Sequence, residues 1–139
     1  MQEQIAAVTK FHEVYRIPYA KTPTVDISSS LISLRHRLME EENEEYLQAA
    51  MAGDLVEVAD ALGDMLYILC GTMITHGMQG KMASVFNEIQ RSNMSKLDEN
   101  GAPIYREDGK VMKGPNYFKP NIGAILAGGE EALPENPGK

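Results

Sequence analysis

This sequence predicts an all-α fold, an antiparallel bundle of four to five helices with a small C-terminal β-hairpin, and three observations predict it. Apolar residues recur at three- and four-residue steps through most of residues 2–96. Strong stop and start signals, Pro18, Gly53-Asp54 and His76-Gly77, divide that stretch into four segments. After Leu97 the texture changes to turn dipeptides, Asn100-Gly101 and Asp108-Gly109.

The first helix takes residues 2–16, with Ile5, Val8, Phe11 or His12, and Tyr15 at helical steps, and Pro18 ends it because proline has no N–H to give. Lys21 to Val25, which contains Pro23, is a connector. Asp26 and Ser28 to Ser30 offer N-caps for a second helix that runs to about Ala52. Gly53 tolerates the left-handed position after a helix and Asp54 caps the next one, so two long helices joined by this link fold back antiparallel. The third helix, about Asp54 to Thr75, is apolar on nearly every side after Ala61, as expected of the central helix of a bundle. A fourth, about Gln79 to Lys96, carries Met82, Val85, Phe86 and Ile89 as its buried stripe. Ile104 to Glu107 and Lys110 to Lys113 predict the hairpin, within about residues 102–114, around a two-residue type I′ turn. Such a hairpin is marginal alone and is expected to lie on the bundle. Residues 1–128 then make one domain, and 129–139, rich in Gly, Pro and Glu, a loose tail.

At 139 residues the chain can bury a core without disulfide or metal staples. With 43% apolar and 24% charged residues, it is neither disordered by composition nor fibrous. Its one cysteine, Cys70, excludes an internal disulfide and a multi-cysteine zinc site and suits a reducing compartment. Met1 to Lys10 has no apolar signal-peptide core, so a cytoplasmic protein is expected. The apolar run Met65 to Thr75 falls short of the ~20 residues a membrane span needs. No long basic stripe is present either, so neither a membrane nor a nucleic acid polymer is an expected partner.

The net charge of −7 is unevenly spread. Residues 40–64 hold nine acids and no Lys or Arg, which leaves the other 114 residues at +2. On the second helix the stripe Leu31, Leu34, Leu38 continues at Glu42, Glu45 and Ala49, so two glutamates stand where leucine is expected. On the third, Asp60 and Asp64 are one turn apart, with Glu57 nearly on the same face. Both helices therefore turn carboxylates toward a shared interface, where unpaired charge is very costly. With no basic partner in the block, a divalent cation is the economical neutraliser, and all-oxygen ligation favours Mg²⁺ or Mn²⁺. Glu40, Glu41 and Glu44 read individually as a solvated face, and Asp54 as an N-cap. A di-iron bundle would need two Glu-x-x-His pairs, and none of His12, His36 and His76 stands three residues after an acid.

These residues resemble the all-α nucleoside triphosphate pyrophosphohydrolases, the MazG-like group that includes dimeric dUTPases and phosphoribosyl-ATP pyrophosphohydrolases. The resemblance rests on an EExxE run, Glu41-Glu42-Asn43-Glu44-Glu45, then Asp64-Met65-Leu66-Tyr67 on the next helix. The run Arg91 to Lys96, the Asp108-Gly109-Lys110 turn and Lys113 extend it, so that it covers roughly residues 1–122. One departure stands out: three residues before Asp64, where the group carries glutamate, this chain has Ala61. Asp60 would supply the missing carboxylate, with Glu57 as a further or more distant group.

The resemblance implies an NTP diphosphatase that cleaves between the α and β phosphates of a (d)NTP, giving a monophosphate and pyrophosphate, in dNTP pool control. Mg²⁺ would be held by Glu42, Glu45, Asp60 and Asp64, with Glu41 or an underused member of the cluster, Glu45 among them, as general base; the sequence does not choose. Arg91, Lys96, Lys113 and Asn93 would bind phosphates, and Phe11, His12 or Tyr117 would face the base. Phosphoribosyl-ATP hydrolysis in histidine synthesis is the second reading, set lower because the segment Asn93 to Tyr117 is unlike the short forms that do that step. A catalytically silent metal-binding or regulatory bundle is the third. A helix apolar all round needs more cover than three neighbours give, which predicts a homodimer or a dimer of dimers.

Overall fold

The computed structural model describes residues 1–128, so the tail expected over 129–139 lies outside the described residues. Two compact units divide the chain: Met1–Gly80, and a second that begins at Lys81.

The first unit holds α1 (Gln2–Val14), α2 (Ser29–Ala52) and α3 (Leu55–Thr75). α1 stops two residues before the expected end, because Arg16 turns left-handed (φ 55°) and Ile17 N–H donates back to the His12 carbonyl (2.8 Å). Ser28 caps α2 by accepting from Leu31 N–H, and Asp54 caps α3 by accepting from Val56 and Glu57 N–H. Gly53, at φ 72°, makes the reversal between them as expected. α3 packs against both α1 and α2. Ile5 and Val8 from α1, Ala49 from α2, and Ala61, Cys70 and Ile74 from α3 are buried.

On α1, of the two residues offered for the third turn, His12 is the buried one and Phe11 is exposed with its ring edge-on to Tyr67 (5.6 Å between centroids), while Tyr15 leaves the expected stripe for solvent. On α2 Leu34 is exposed and Arg35 is buried, so the inner face reads Leu31, Arg35, Leu38, Glu42, Ala49. A heptad step places residue 35 between 31 and 38, and its long apolar stem lets arginine take a core position. α3 as a whole is 21 residues and apolar enough to cross a membrane by length and composition, longer than its uninterrupted apolar run. It carries Glu57, Asp60 and Asp64, and Leu62, Leu66, Tyr67 and Leu69 are exposed along it.

The connector between α1 and α2 is pinned to the end of α3. Thr24 N–H donates to the His76 carbonyl (3.0 Å), the His76 ring meets the Thr24 carbonyl (2.9 Å), and Gln79 Nε2 donates to the Ala20 carbonyl (2.9 Å). Gly77, left-handed at φ 68°, lets the Thr22 carbonyl come where a Cβ would stand.

The second unit holds α4 (Met82–Met94) and α5 (Ile122–Leu126), which pack together. The buried face of α4 is Val85, Glu88 and Ser92; of the expected stripe Val85 is buried and Met82 half-buried, while Phe86, 55% exposed, and Ile89 face solvent. The polar residues go inside because each is bonded there. Ser92 Oγ donates to the Phe118 carbonyl (2.8 Å), and Glu88 accepts two bonds from Arg91 (2.8 and 3.0 Å) and one from Asn121 N–H (2.7 Å). These bonds tie residues 118–121 onto α4 and set up α5, whose first turn Asn121 caps at Ala124 N–H.

The predicted hairpin is reduced to one antiparallel bridge, Tyr105 to Val111, and the described residues contain no strand. A type I′ turn needs positive φ at both central residues, and of the pair only Gly109 has it (φ 84°). Gly109 N–H donates to the Arg106 carbonyl (2.9 Å) and Arg106 N–H to that of Lys110 (2.8 Å), which makes a wider three-residue turn closed by a left-handed glycine. The Arg106 guanidinium pairs with Asp108 across it.

Two predictions follow from this packing. Gly77→Ala forces both a strained φ and a clash with the Thr22 carbonyl, and should destabilise by about 1–3 kcal/mol in urea unfolding. Arg91 and the Asn121 N–H hold the Glu88 carboxyl below its ordinary value of 4.5. Its contribution to stability is therefore full above pH 4.5 and lost as pH falls through the lowered folded value. Thermal scans of Glu88→Gln should show a lower Tm at neutral pH, and the gap to the parent should narrow in acid.

Candidate functional site

The site is built on the inner seam between α2 and α3. Its register is visible at Arg35, whose Nη2 donates to the Ile68 carbonyl (2.7 Å) and whose Nε donates to Thr72 Oγ1 (3.1 Å). Because the helices run antiparallel, seven residues forward on α2 is matched by seven back on α3, roughly 10 Å along the seam. That step leads from Arg35 to Glu42 and from Gly71 to Asp64.

Glu42 is the half-buried member of the acidic group, while Glu41, Glu45, Asp60 and Asp64 are exposed around it. Its carboxyl is pushed above the ordinary glutamate value, first by burial and then by the negative charges of Glu45, Asp64, Asp60 and Glu41. The structure thus brings four of the sequence-predicted acids within electrostatic reach of the fifth. Glu57 is not among them; it sits in the first turn of α3, its N–H bonded to Asp54. Oε2 of Glu42 is buried and has no hydrogen-bond partner among the described residues. No cation answers this charge, since the ion pairs among the described residues are Arg91–Glu88 and Arg106–Asp108. No three His, Cys, Asp or Glu side chains among the described residues converge closely enough to grip a metal as they stand. An orphaned carboxylate oxygen beside four more carboxylates nevertheless fits a hard divalent cation better than it fits any protein group present.

Of the predicted substrate-binding residues, His12 lies in the first unit, 2% exposed, with Nδ1 unpartnered and its Nε2 near Gly71. Burial and the nearby Arg35 charge hold its ring below the ordinary histidine value. The others lie in the second unit. Arg91 is clasped by Glu88 and stacks over Phe118 (4.3 Å to the ring centroid). Asn93 is exposed near the end of α4. Gly114 N–H donates to the Lys96 carbonyl (2.9 Å), and Lys113 Nζ lies 4.5 Å from the Tyr117 ring centroid, so Lys96, Lys113 and Tyr117 gather in one place.

Arg35 is the residue that sequence reasoning missed. The signal was present: it stands one heptad before Glu42, and a glycine and a threonine, Gly71 and Thr72, interrupt the most apolar helix opposite it.

Among curated proteins, none matches the chain. Of solved structures, one similar to this chain is described as a candidate NTP pyrophosphohydrolase from Exiguobacterium sp. 255-15. It is 25% identical over 89% of this chain and 94% of its own, with a TM-score of 0.49. The phosphoribosyl-ATP pyrophosphohydrolase family profile matches residues 8–93, a stretch that takes in every carboxylate of the α2–α3 seam. With more than half of its length matched, the chain belongs to the phosphoribosyl-ATP pyrophosphohydrolase family.

Proposed function

We propose that the protein is a Mg²⁺-dependent nucleotide pyrophosphohydrolase that cleaves a (d)NTP between its α and β phosphates to the monophosphate and pyrophosphate. The observation that carries this reading is the unpartnered, buried Oε2 of Glu42 amid Glu41, Glu45, Asp60 and Asp64. Glu42, Glu45, Asp60 and Asp64 would hold Mg²⁺, with Mn²⁺ as a substitute. The bound cation supplies charge neutralisation for phosphate oxygens and a more acidic water. Glu41, exposed beside the cluster, or Glu45 takes the proton of the attacking water. Cationic cover for the phosphates is assigned to Lys96 and Lys113, an amide hydrogen bond to Asn93, and a stacking face to Tyr117. Arg91 is left out of that grip, since Glu88 and Phe118 engage it, and the buried His12 is left out of base contact. The exposed Leu62, Leu66, Tyr67 and Leu69 on α3 support assembly with a second copy of the chain. Phosphoribosyl-ATP is the second substrate to test, because the matching family bears its name.

Incubation of purified protein and Mg²⁺ with a panel of NTPs, dNTPs and phosphoribosyl-ATP should yield monophosphate and pyrophosphate from one class. Orthophosphate with a diphosphate product would contradict α,β cleavage, and no turnover would make the protein a binding module. Glu45→Gln and Asp64→Asn should each abolish Mg²⁺-dependent turnover while circular dichroism stays helical; full activity in both refutes the site. In the absence of substrate, Mg²⁺ should raise the Tm of the parent and leave that of Glu42→Gln unmoved.

A further inference from the structure

Arg35 is a cation at 9% exposure with no carboxylate partner among the described residues, in a protein whose acids outnumber its bases. A buried charge normally persists where it is paired or has a task. What it has is a grip on the backbone of the neighbouring helix. Nη2 bonds the Ile68 carbonyl and Nε the Thr72 hydroxyl, while Thr72 Oγ1 itself donates to that same carbonyl (2.9 Å). Gly71 lies inside this clasp, and a Cβ there would strike Arg35 Nη2 and stand 3.1 Å from His12 Nε2. A guanidinium fork that reaches two points one turn apart on α3 resists axial sliding in a way that apolar contacts, which are not directional, do not. Two turns along the same seam, Glu42 on α2 stands within electrostatic reach of Asp60 and Asp64 on α3.

We propose that Arg35 is the positioning residue of the carboxylate site: it locks the register of α3 on α2 and so keeps Asp60 and Asp64 beside Glu42 and Glu45. This rests on the metal-binding reading of that site. The fork acts on the backbone, so it sets where both aspartates stand without touching either one.

The test measures register and metal separately. In a Cys70→Ala background, nitroxides on Ser33→Cys and Leu69→Cys should give a narrow distance distribution in the metal-free protein. Arg35→Met, which keeps the apolar stem, should broaden or shift it by on the order of one helical turn, ~5 Å. Mn²⁺ affinity, read by the loss of the free-ion EPR signal, should fall by about 10–100-fold. Arg35→Lys should not rescue either readout, because one ammonium cannot span both acceptors. Gly71→Ala, which displaces an intact Arg35, should reproduce both changes, and it decides the matter if Arg35→Met does not fold. Folded variants with the parental distance distribution and parental Mn²⁺ affinity overturn the proposal. A parent that binds no Mn²⁺ while Arg35→Met still shifts the distances overturns the metal reading and leaves the register role standing.

Discussion

The pairing of α2 with α3 is the constraint on which the rest of this protein depends. Gly53 in a left-handed conformation and Asp54 as a cap leave a link of only two residues, so the two helices must fold back antiparallel with their inner faces together. Whatever stands on the inner face of one helix is delivered to a known height on the other. Near the middle that delivers Glu42 to Asp64 and Asp60, and two turns further from the reversal it delivers Arg35 to Ile68 and Thr72. α1 and the pinned connector then pack against α3 as an already oriented helix.

That seam is not arranged for stability. A leucine in place of the half-buried Glu42 would contribute up to roughly 1.5–3 kcal/mol by burial, whereas the Glu42 carboxylate meets the negative charges of Glu41, Glu45, Asp60 and Asp64. Both terms act against the fold as it stands, and no ion pair among the described residues offsets them. Under the proposed function this break in the apolar pattern, at Glu42 and Glu45 on one helix and Asp60 and Asp64 on the other, serves chemistry rather than packing. The second unit offers the contrast. Glu88 and Ser92 are polar and buried too, yet each finds its full set of partners in Arg91, Asn121 and Phe118, and they act as structural ties.

Most of the helical architecture was legible. Caps and stops at Ser28, Gly53, Asp54 and Gly77 are local chemistry, and local chemistry survives translation into structure with little error. Helical spacing likewise pointed Glu42 toward Asp60 and Asp64, and the structure brings those two within electrostatic reach of Glu42, while Glu45 is exposed. Faces were less legible than helices. Leu34 and Arg35 are adjacent in sequence and 100° apart on the helix, and a rule that buries the more apolar of the two chose the wrong one, while between Phe11 and His12 the spacing left the choice open. The hairpin failed for a subtler reason. Asp108-Gly109 does make a turn, but aspartate keeps negative φ there, so the strands start one residue farther apart and only Tyr105 and Val111 pair.

By itself, then, the sequence determined where the helices begin and end, that the middle two fold back on each other, and that both of them carry carboxylates near the middle of the pair. Those outcomes depend on capping, periodicity and a two-residue link, all of them short-range. Only the tertiary structure decided which polar residues are buried and what satisfies them: Arg35 on a helix carbonyl, Glu88 on an arginine and a backbone amide, and Glu42 with an oxygen left over. Arg35 and Glu88 are satisfied by backbone groups 33 residues away, the Ile68 carbonyl and the Asn121 N–H, and partners at such separations have no expression in local pattern.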